Sequence, residues 1–280
     1  MNNKTKNTPQ FFFDTADTKA IKNIWSKLKD TCDPKSCVGI TTNPNALAKV
    51  NCHTTSEFEY LVKEMAETLE EIRGANGLVY VQVPNSKMNE YDIIKWVEYI
   101  SKLKIGNSVI ALKLPHFSYI LDLLDNEIFN NIYVNITGIS DFGTICRVMN
   151  YNNVHYASII PGRMEEIGID ADSHLKYLAD TKFKPHQNII TGSMRTLQGL
   201  KSAIYYKTVP TIGTRVWDLF ESNKSWSDFN SYWNEQYSGI STETKDFCPE
   251  ITEKNIQLSK SFFEQMDGLG ENLFNNFLKK

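Results

Sequence analysis

Two hydrophobic rhythms alternate along the chain. Short runs rich in β-branched and aromatic residues read as strands: FFFD at 11–14, CVGITT at 37–42, LVYVQV at 78–83, SVIALKL at 108–114, IYVNIT at 132–137, HYASII at 155–160, NIITG at 188–192 and VPTIG at 209–213. Longer stretches between them carry apolar residues at three- and four-residue steps, the spacing of a helix with one buried face. Phe58, Leu61, Val62, Met65, Leu69 and Ile72 make one such helix, with Ser56 and Glu59 spaced as a capping box and Glu64, Glu67, Glu70 and Glu71 on a solvated face. Strands joined by helical crossovers form a parallel sheet, and eight of them in a chain of 280 residues predict a closed (β/α)8 TIM barrel rather than an open doubly wound sheet.

No linker rich in Gly, Pro or Ser interrupts this alternation, so residues 1–220 are expected to form a single barrel domain. The pattern shifts afterwards, and residues 221–280 are expected to form a helical extension. Trp226, Phe229, Trp233 and Tyr237 fall near helical spacing; a polar loop with Pro249 then leads into an amphipathic stretch with Leu258, Phe262, Phe263 and Met266. Such a tail packs on the barrel's outside, caps its mouth, or presses on another subunit of a homo-oligomer.

Composition removes several classes of partner. A formal net charge of -3, from 30 basic and 33 acidic residues, provides no basic field for nucleic acid. Cys32, Cys37, Cys52, Cys146 and Cys248 are odd in number and scattered, with no C-x-x-C pair, which speaks against a disulfide framework or a zinc site. The start, MNNKTKNTPQ, lacks the apolar core of a signal peptide, and no apolar run approaches the ~18 residues of a membrane span. A cytoplasmic protein without a membrane partner is expected, and the N-x-S/T matches at Asn3, Asn135 and Asn223 are chance occurrences.

In a parallel barrel, chemistry collects at the C-terminal ends of the strands. The polar residues there are Asp14, then Thr41, Thr42 and Asn43, Gln82, Lys113, Asn135 and Thr137, Ser158, and Ser193 just past the seventh strand. Lys113 stands out because it interrupts the apolar run VIALKLP. Its stem could lie along apolar surface with the head in water. Alternatively, a dry pocket would release a neutral amine able to attack a carbonyl. Plain roles exist for others too: Asp14 could cap a helix, Asn43 could form an Asx turn before Pro44, and Thr137 could be β-branched filler. Arg163 and Arg195, beside Pro161-Gly162 and Gly192-Ser193, suit a phosphate held at helix N-termini, although Arg163 could instead pair with Glu165 or Glu166.

Taken together, these segments resemble the transaldolase family, including its short fructose 6-phosphate aldolase-like members. FFFDTAD is similar to the family's first strand, VGITTNP to its "GVTTNP" signature, and IALKLP to the strand carrying the Schiff-base lysine. VNIT is similar to the "N-x-T" strand, ASIIPGR to "S-P-F-V-G-R" and TGSMRT to "A-S-F-R". The resemblance implies Lys113 as nucleophile, Asp14 as general acid/base, and Thr137 and Gln82 as holders of the catalytic water. It further implies substrate contacts from Thr42, Asn43, Asn135 and Ser158, with Arg163, Ser193 and Arg195 gripping a phosphate. The implied reaction transfers a dihydroxyacetone unit from a ketose phosphate such as sedoheptulose 7-phosphate to an aldose phosphate such as glyceraldehyde 3-phosphate, in the pentose phosphate pathway. No metal or organic cofactor is implied. Release of dihydroxyacetone by hydrolysis and a non-catalytic sugar-phosphate binder are the alternatives. Ile160 departs from both the Phe of transaldolases and the Tyr of the aldolases.

Overall fold

A computed structural model describes residues 9–74, 77–223 and 251–279. All eight expected strands form, each ending within two residues of its sequence bounds: β1 Phe11–Asp14, β2 Cys37–Thr41, β3 Leu78–Gln82, β4 Val109–Pro115, β5 Tyr133–Ile139, β6 Val154–Ile159, β7 Asn188–Thr191 and β8 Val209–Ile212. Every neighbouring pair is parallel, and β1 closes on β8 through Phe12 opposite Thr211 and Phe13 opposite Ile212. The architecture is a TIM barrel.

Strand alternation divides the apolar residues between two cores. Phe12, Tyr80, Ala111, Ile190 and Val209 point inward and fill the lumen, while Phe11, Phe13, Val79, Leu112 and Ile136 face the surrounding helices. The rings of Phe12, Tyr80 and Tyr156 meet edge to face, with centroids 5.5 to 5.9 Å apart, and make the floor of the upper barrel. Two residues further along the same strands stand Asp14, Gln82, Lys113, Ser158 and Thr211. A period of two therefore aims these polar side chains inward one layer above the floor.

The helices between strands start on well-chosen caps. Asp17 caps α1 (Thr18–Leu28), and Asn43 caps α2 (Pro44–Lys49), with Pro44 at the first position, where the missing N–H costs nothing. The capping box of α3 (Thr55–Arg73) is made by Thr54 and Glu57 rather than Ser56 and Glu59. Two overlapping Ser/Thr-x-x-Glu frames compete there, and the upstream one wins because Glu57 accepts from both His53 N and Thr54 N, at 2.9 Å each. Glu59 instead accepts from the Tyr99 hydroxyl at 2.8 Å. The expected solvated face of α3 also bonds outward: Glu64 accepts from Thr18, Glu70 from Asn107 N, and Glu71 pairs with Lys22.

Completing the ring are α4 (Glu90–Ser101), α5 (Ser118–Leu121), α6 (Phe142–Val148), α7 (Pro161–Glu166), α8 (Ala171–Asp180), α9 (Leu197–Tyr205) and α10 (Thr214–Asn223). Because α10 continues through residues 220 and 221, the expected boundary between barrel and extension falls inside a helix. Trp226, Phe229, Trp233, Tyr237, Cys248 and Pro249 lie outside the described residues. The amphipathic stretch forms a C-terminal helix, Glu253–Phe277, which lies over the barrel mouth and at its far end packs Phe277 on Trp96 of α4, with ring centroids 5.1 Å apart. Several of its hydrogen-bond partners stand at or just beyond strand ends. Asp267 accepts from Ser86 N and Oγ at 2.6 and 2.8 Å, Ser259 donates to Gly138 O at 3.0 Å, and Ser140 Oγ donates to Asn255 O at 3.1 Å.

Gly270 lets this helix lie directly on the loop after β3: a Cβ there would stand 1.8 Å from Pro84 O, a backbone atom that cannot give way. Gly270→Ala is expected to cost roughly 1–3 kcal/mol by overpacking. Hydrogen exchange should show the opening concentrated in residues 253–277; equal protection of that helix in both proteins would remove this account of its seating.

Candidate active site

The centre of the upper layer is Lys113 on β4. In register beside it stand Gln82 on β3 and Asn135 on β5. Lys113 is only 7% exposed, and its Nζ donates to Thr41 Oγ1 and to Thr42 O, each at 3.1 Å. Both acceptors are neutral. Among the described residues, no carboxylate stands within salt-bridge distance of it. Burial pushes the ammonium below its ordinary pKa of 10.5, and the charge of Asp14 opposes that shift without cancelling it.

Asp14 shows the complementary effect. Its carboxyl is raised above the usual carboxylate value, first by burial, against the pull of Lys113, Arg195 and Lys49 and a hydrogen bond from the Thr211 side chain. Two groups with opposite charge thus both lean towards their neutral forms, because the site is dry. An acid–base pair whose members are shifted towards each other in this way is suited to exchanging a proton.

Two buried polar atoms flank the lysine without partners among the described residues: Gln82 Oε1, an acceptor, and Asn135 Nδ2, a donor. Ser158 Oγ donates to Asn135 Oδ1 at 2.8 Å and so orients that amide. Buried polar groups are satisfied in most folds, so this acceptor and donor beside an amine read as contacts reserved for a polar molecule. Thr137 is buried two residues beyond Asn135 on β5. Thr42 takes part through its backbone. Its hydroxyl donates to Tyr80 O at 3.0 Å, and its share in the site is the carbonyl that holds Lys113. Asn43 Oδ1 accepts from Ala46 N at 2.9 Å and so caps α2, and the residue also lines the pocket described next.

A cavity of about 250 Å³ opens beside Asp14, lined by Asn43, Lys49, Arg163, Ser193, Arg195 and Arg215, together with Phe262, Gln265 and Met266 of the C-terminal helix. Glycine makes its narrow wall possible. A Cβ on Gly162 would lie 2.2 Å from Ser193 O and 2.9 Å from Arg195 Cγ, so this residue brings the loops after β6 and β7 together. Ser193 sits at φ +53°, a strained conformation for a residue with a Cβ and one that collects at functional sites. Of the two arginines expected at a phosphate, Arg163 and Arg195, it is Arg195 that pairs with Glu166, Nε to Oε1 at 3.0 Å. Arg163 donates from Nη1 to Gln265 Oε1 at 3.1 Å, and its guanidinium lies 4.8 Å from the centre of the Phe262 ring. Ile160 is 2% exposed within the outer core and does not line this cavity, although its carbonyl accepts from Arg163 N at 3.0 Å.

The site also holds residues that the sequence pattern did not single out. Thr211 obeys the same strand-end rule as Lys113, and the shortness of β8 hides it. Lys49, Arg215 and Gln265 have no local signature; only the packing of their helices aims them here. Among the described residues, no group of three or more His, Cys, Asp or Glu side chains comes together to hold a metal, and no helix is long and apolar enough to cross a membrane.

Fold and site together define a (β/α)8 barrel with a buried amine at its mouth, next to a small cationic pocket. No family model matches this sequence, and no curated protein does. Among solved structures, the chain is similar to a monomeric dihydrodipicolinate synthase variant, at 11% identity and a TM-score of 0.48 over 96% of this chain and 99% of that one. It is similar to the flavin-binding domain of baker's yeast flavocytochrome b2 at 12% identity and a TM-score of 0.44, covering 96% and 67%. An enzyme targeting pectin rhamnogalacturonan II follows at 10% identity and 0.42, covering 78% and 35%. Likenesses this loose carry no argument about activity.

The depressed ammonium has a direct chemical readout. Acetylation of Lys113 by trace acetic anhydride, a reagent that does not itself titrate, followed by peptide mass mapping, should rise with pH to a midpoint below 10.5, because only the neutral amine reacts. Asp14→Asn removes the charge that favours the ammonium and should move the midpoint lower still. A midpoint at 10.5 in both proteins would show that Lys113 is solvated like an ordinary lysine.

Proposed function

We propose that this chain is an enzyme, a Schiff-base transaldolase acting on sugar phosphates. The observation that carries the reading is Lys113 itself, a buried strand-end lysine held by two neutral oxygens and biased towards the free amine. A lysine kept only for stability would gain from a carboxylate partner or from an exposed position, and Lys113 is buried with neutral acceptors instead.

The chemistry follows from that amine. Lys113 Nζ adds to the C2 carbonyl of a ketose phosphate and loses water, giving a protonated imine. Asp14 takes the proton of the C4 hydroxyl as the C3–C4 bond breaks, and the bonding electrons flow into the imine to leave an enamine on Lys113. An aldose phosphate departs. When a second aldose phosphate enters, the enamine carbon attacks its aldehyde, Asp14 returns the proton, and hydrolysis frees the new ketose. Arg163, Ser193 and Arg195 bind the phosphate, while Asn135 and Asn43 hydrogen-bond sugar hydroxyls. Ser158 holds the Asn135 amide.

Hydrolytic release of dihydroxyacetone, the aldolase reaction, is favoured by one observation, the open acceptor Gln82 Oε1 beside Lys113. With Thr137 it can hold the water that releases the three-carbon unit before a second aldose arrives.

Borohydride added to a mixture of the protein and fructose 6-phosphate should leave a reduced three-carbon adduct on Lys113, located by intact mass and peptide mapping. Lys113→Ala should remove it with the fold intact. Binding without any adduct would make the chain a sugar-phosphate binder, and an adduct on another lysine would move the active centre. Arg195→Ala should raise KM for fructose 6-phosphate by roughly tenfold or more while kcat changes little, because a phosphate grip acts equally on ground and transition states. An unchanged KM would place the phosphate elsewhere.

A further inference from the structure

Of the three arginines in the pocket, Arg195 has a carboxylate partner, whereas Arg163 has none at salt-bridge distance among the described residues. What fixes Arg163 comes from the far end of the chain: Gln265 Oε1 accepts from Nη1 at 3.1 Å, and the Phe262 ring faces the guanidinium at 4.8 Å. These two residues are neighbours on one face of the C-terminal helix, three positions apart. Burial and the nearby Arg195 both make the charged form of Arg163 costly, and its Nε is buried without a partner among the described residues. A neutral acceptor and an aromatic face hold the fork in place without spending its charge, as a glutamate would.

We infer that the C-terminal helix completes the anion pocket, with Gln265 as the positioning residue that holds the Arg163 guanidinium ready for a substrate phosphate. The inference rests on the reading of Lys113 as an enzyme's nucleophile only for the identity of the substrate; the pocket's affinity for phosphate can be read without turnover. It also gives the helix a role beyond covering the barrel mouth. Because Gln265 touches Arg163 and not the reacting carbon, its contribution belongs to binding and not to the chemical step.

Gln265→Met keeps the length of the side chain and removes the acceptor, and Gln265 is exposed, so the helix should keep its seat. Three quantities decide the matter: the dissociation constant of inorganic phosphate, Tm without ligand, and the KM and kcat for fructose 6-phosphate. Phosphate binding should weaken roughly tenfold and KM rise in parallel, with kcat and Tm unchanged, since a hydrogen bond to a charged group is worth about that factor. Equal phosphate affinity in both proteins overturns the inference and leaves the Schiff-base reading untouched. A fall in Tm that accounts for the weaker binding overturns it too, by making Gln265 structural. If the unaltered protein traps fructose 6-phosphate on Lys113 yet does not bind phosphate, only the inference fails. If it does neither, both readings fail.

Discussion

The structure is organised around a lysine that has been taken out of water. Burying an ammonium group is costly unless its hydrogens find acceptors, and Lys113 finds two, Thr41 Oγ1 and Thr42 O, at the end of β2. That contact runs across β3, so it exists only because the barrel curves two strands away into reach of β4. Below the lysine, the edge-to-face rings of Phe12, Tyr80 and Tyr156 close the lumen to solvent. Above it, the C-terminal helix lies across the loops that follow β3 to β6.

The surroundings of the lysine are divided by charge. On the side of β3 to β6 the partners are neutral amides and hydroxyls, Gln82, Asn135, Thr137 and Ser158, which can recognise hydroxyl groups or water without titrating the amine. Towards β7, β8 and α2 the lining is cationic, with Arg195, Arg215 and Lys49 joined by Arg163. Asp14 sits at the seam and feels both halves, through Lys113 on one side and Arg195 and Lys49 on the other. A molecule with hydroxyls at one end and an anion at the other matches this division.

Much of this arrangement is legible in the chain itself. Each apolar run becomes a strand because short β-branched and aromatic segments bounded by helical patterns have few other ways to bury themselves. Strand ends, in turn, are a property of register with the helices that follow, so Asp14, Gln82, Lys113, Asn135, Thr137 and Ser158 can be assigned to one rim. Local rules fail where they compete or overlap. The α3 cap lies at Thr54 and not Ser56 because two identical spacings stand two residues apart, and the glutamates of α3 bind neighbours whose positions no local pattern reveals.

The sequence by itself determined the barrel, the rim and the types of side chain presented there, since these follow from hydrophobic period and strand polarity, which are local. Tertiary structure alone decided that Lys113 is dry, that Asn135 is steered by Ser158, that Gly162 draws Ser193 and Arg195 together, and that Arg163 is held by Gln265. Each of these depends on contacts between residues far apart in the chain. Burial and the electrostatics it controls belong to the whole packed volume, and no window of sequence contains them.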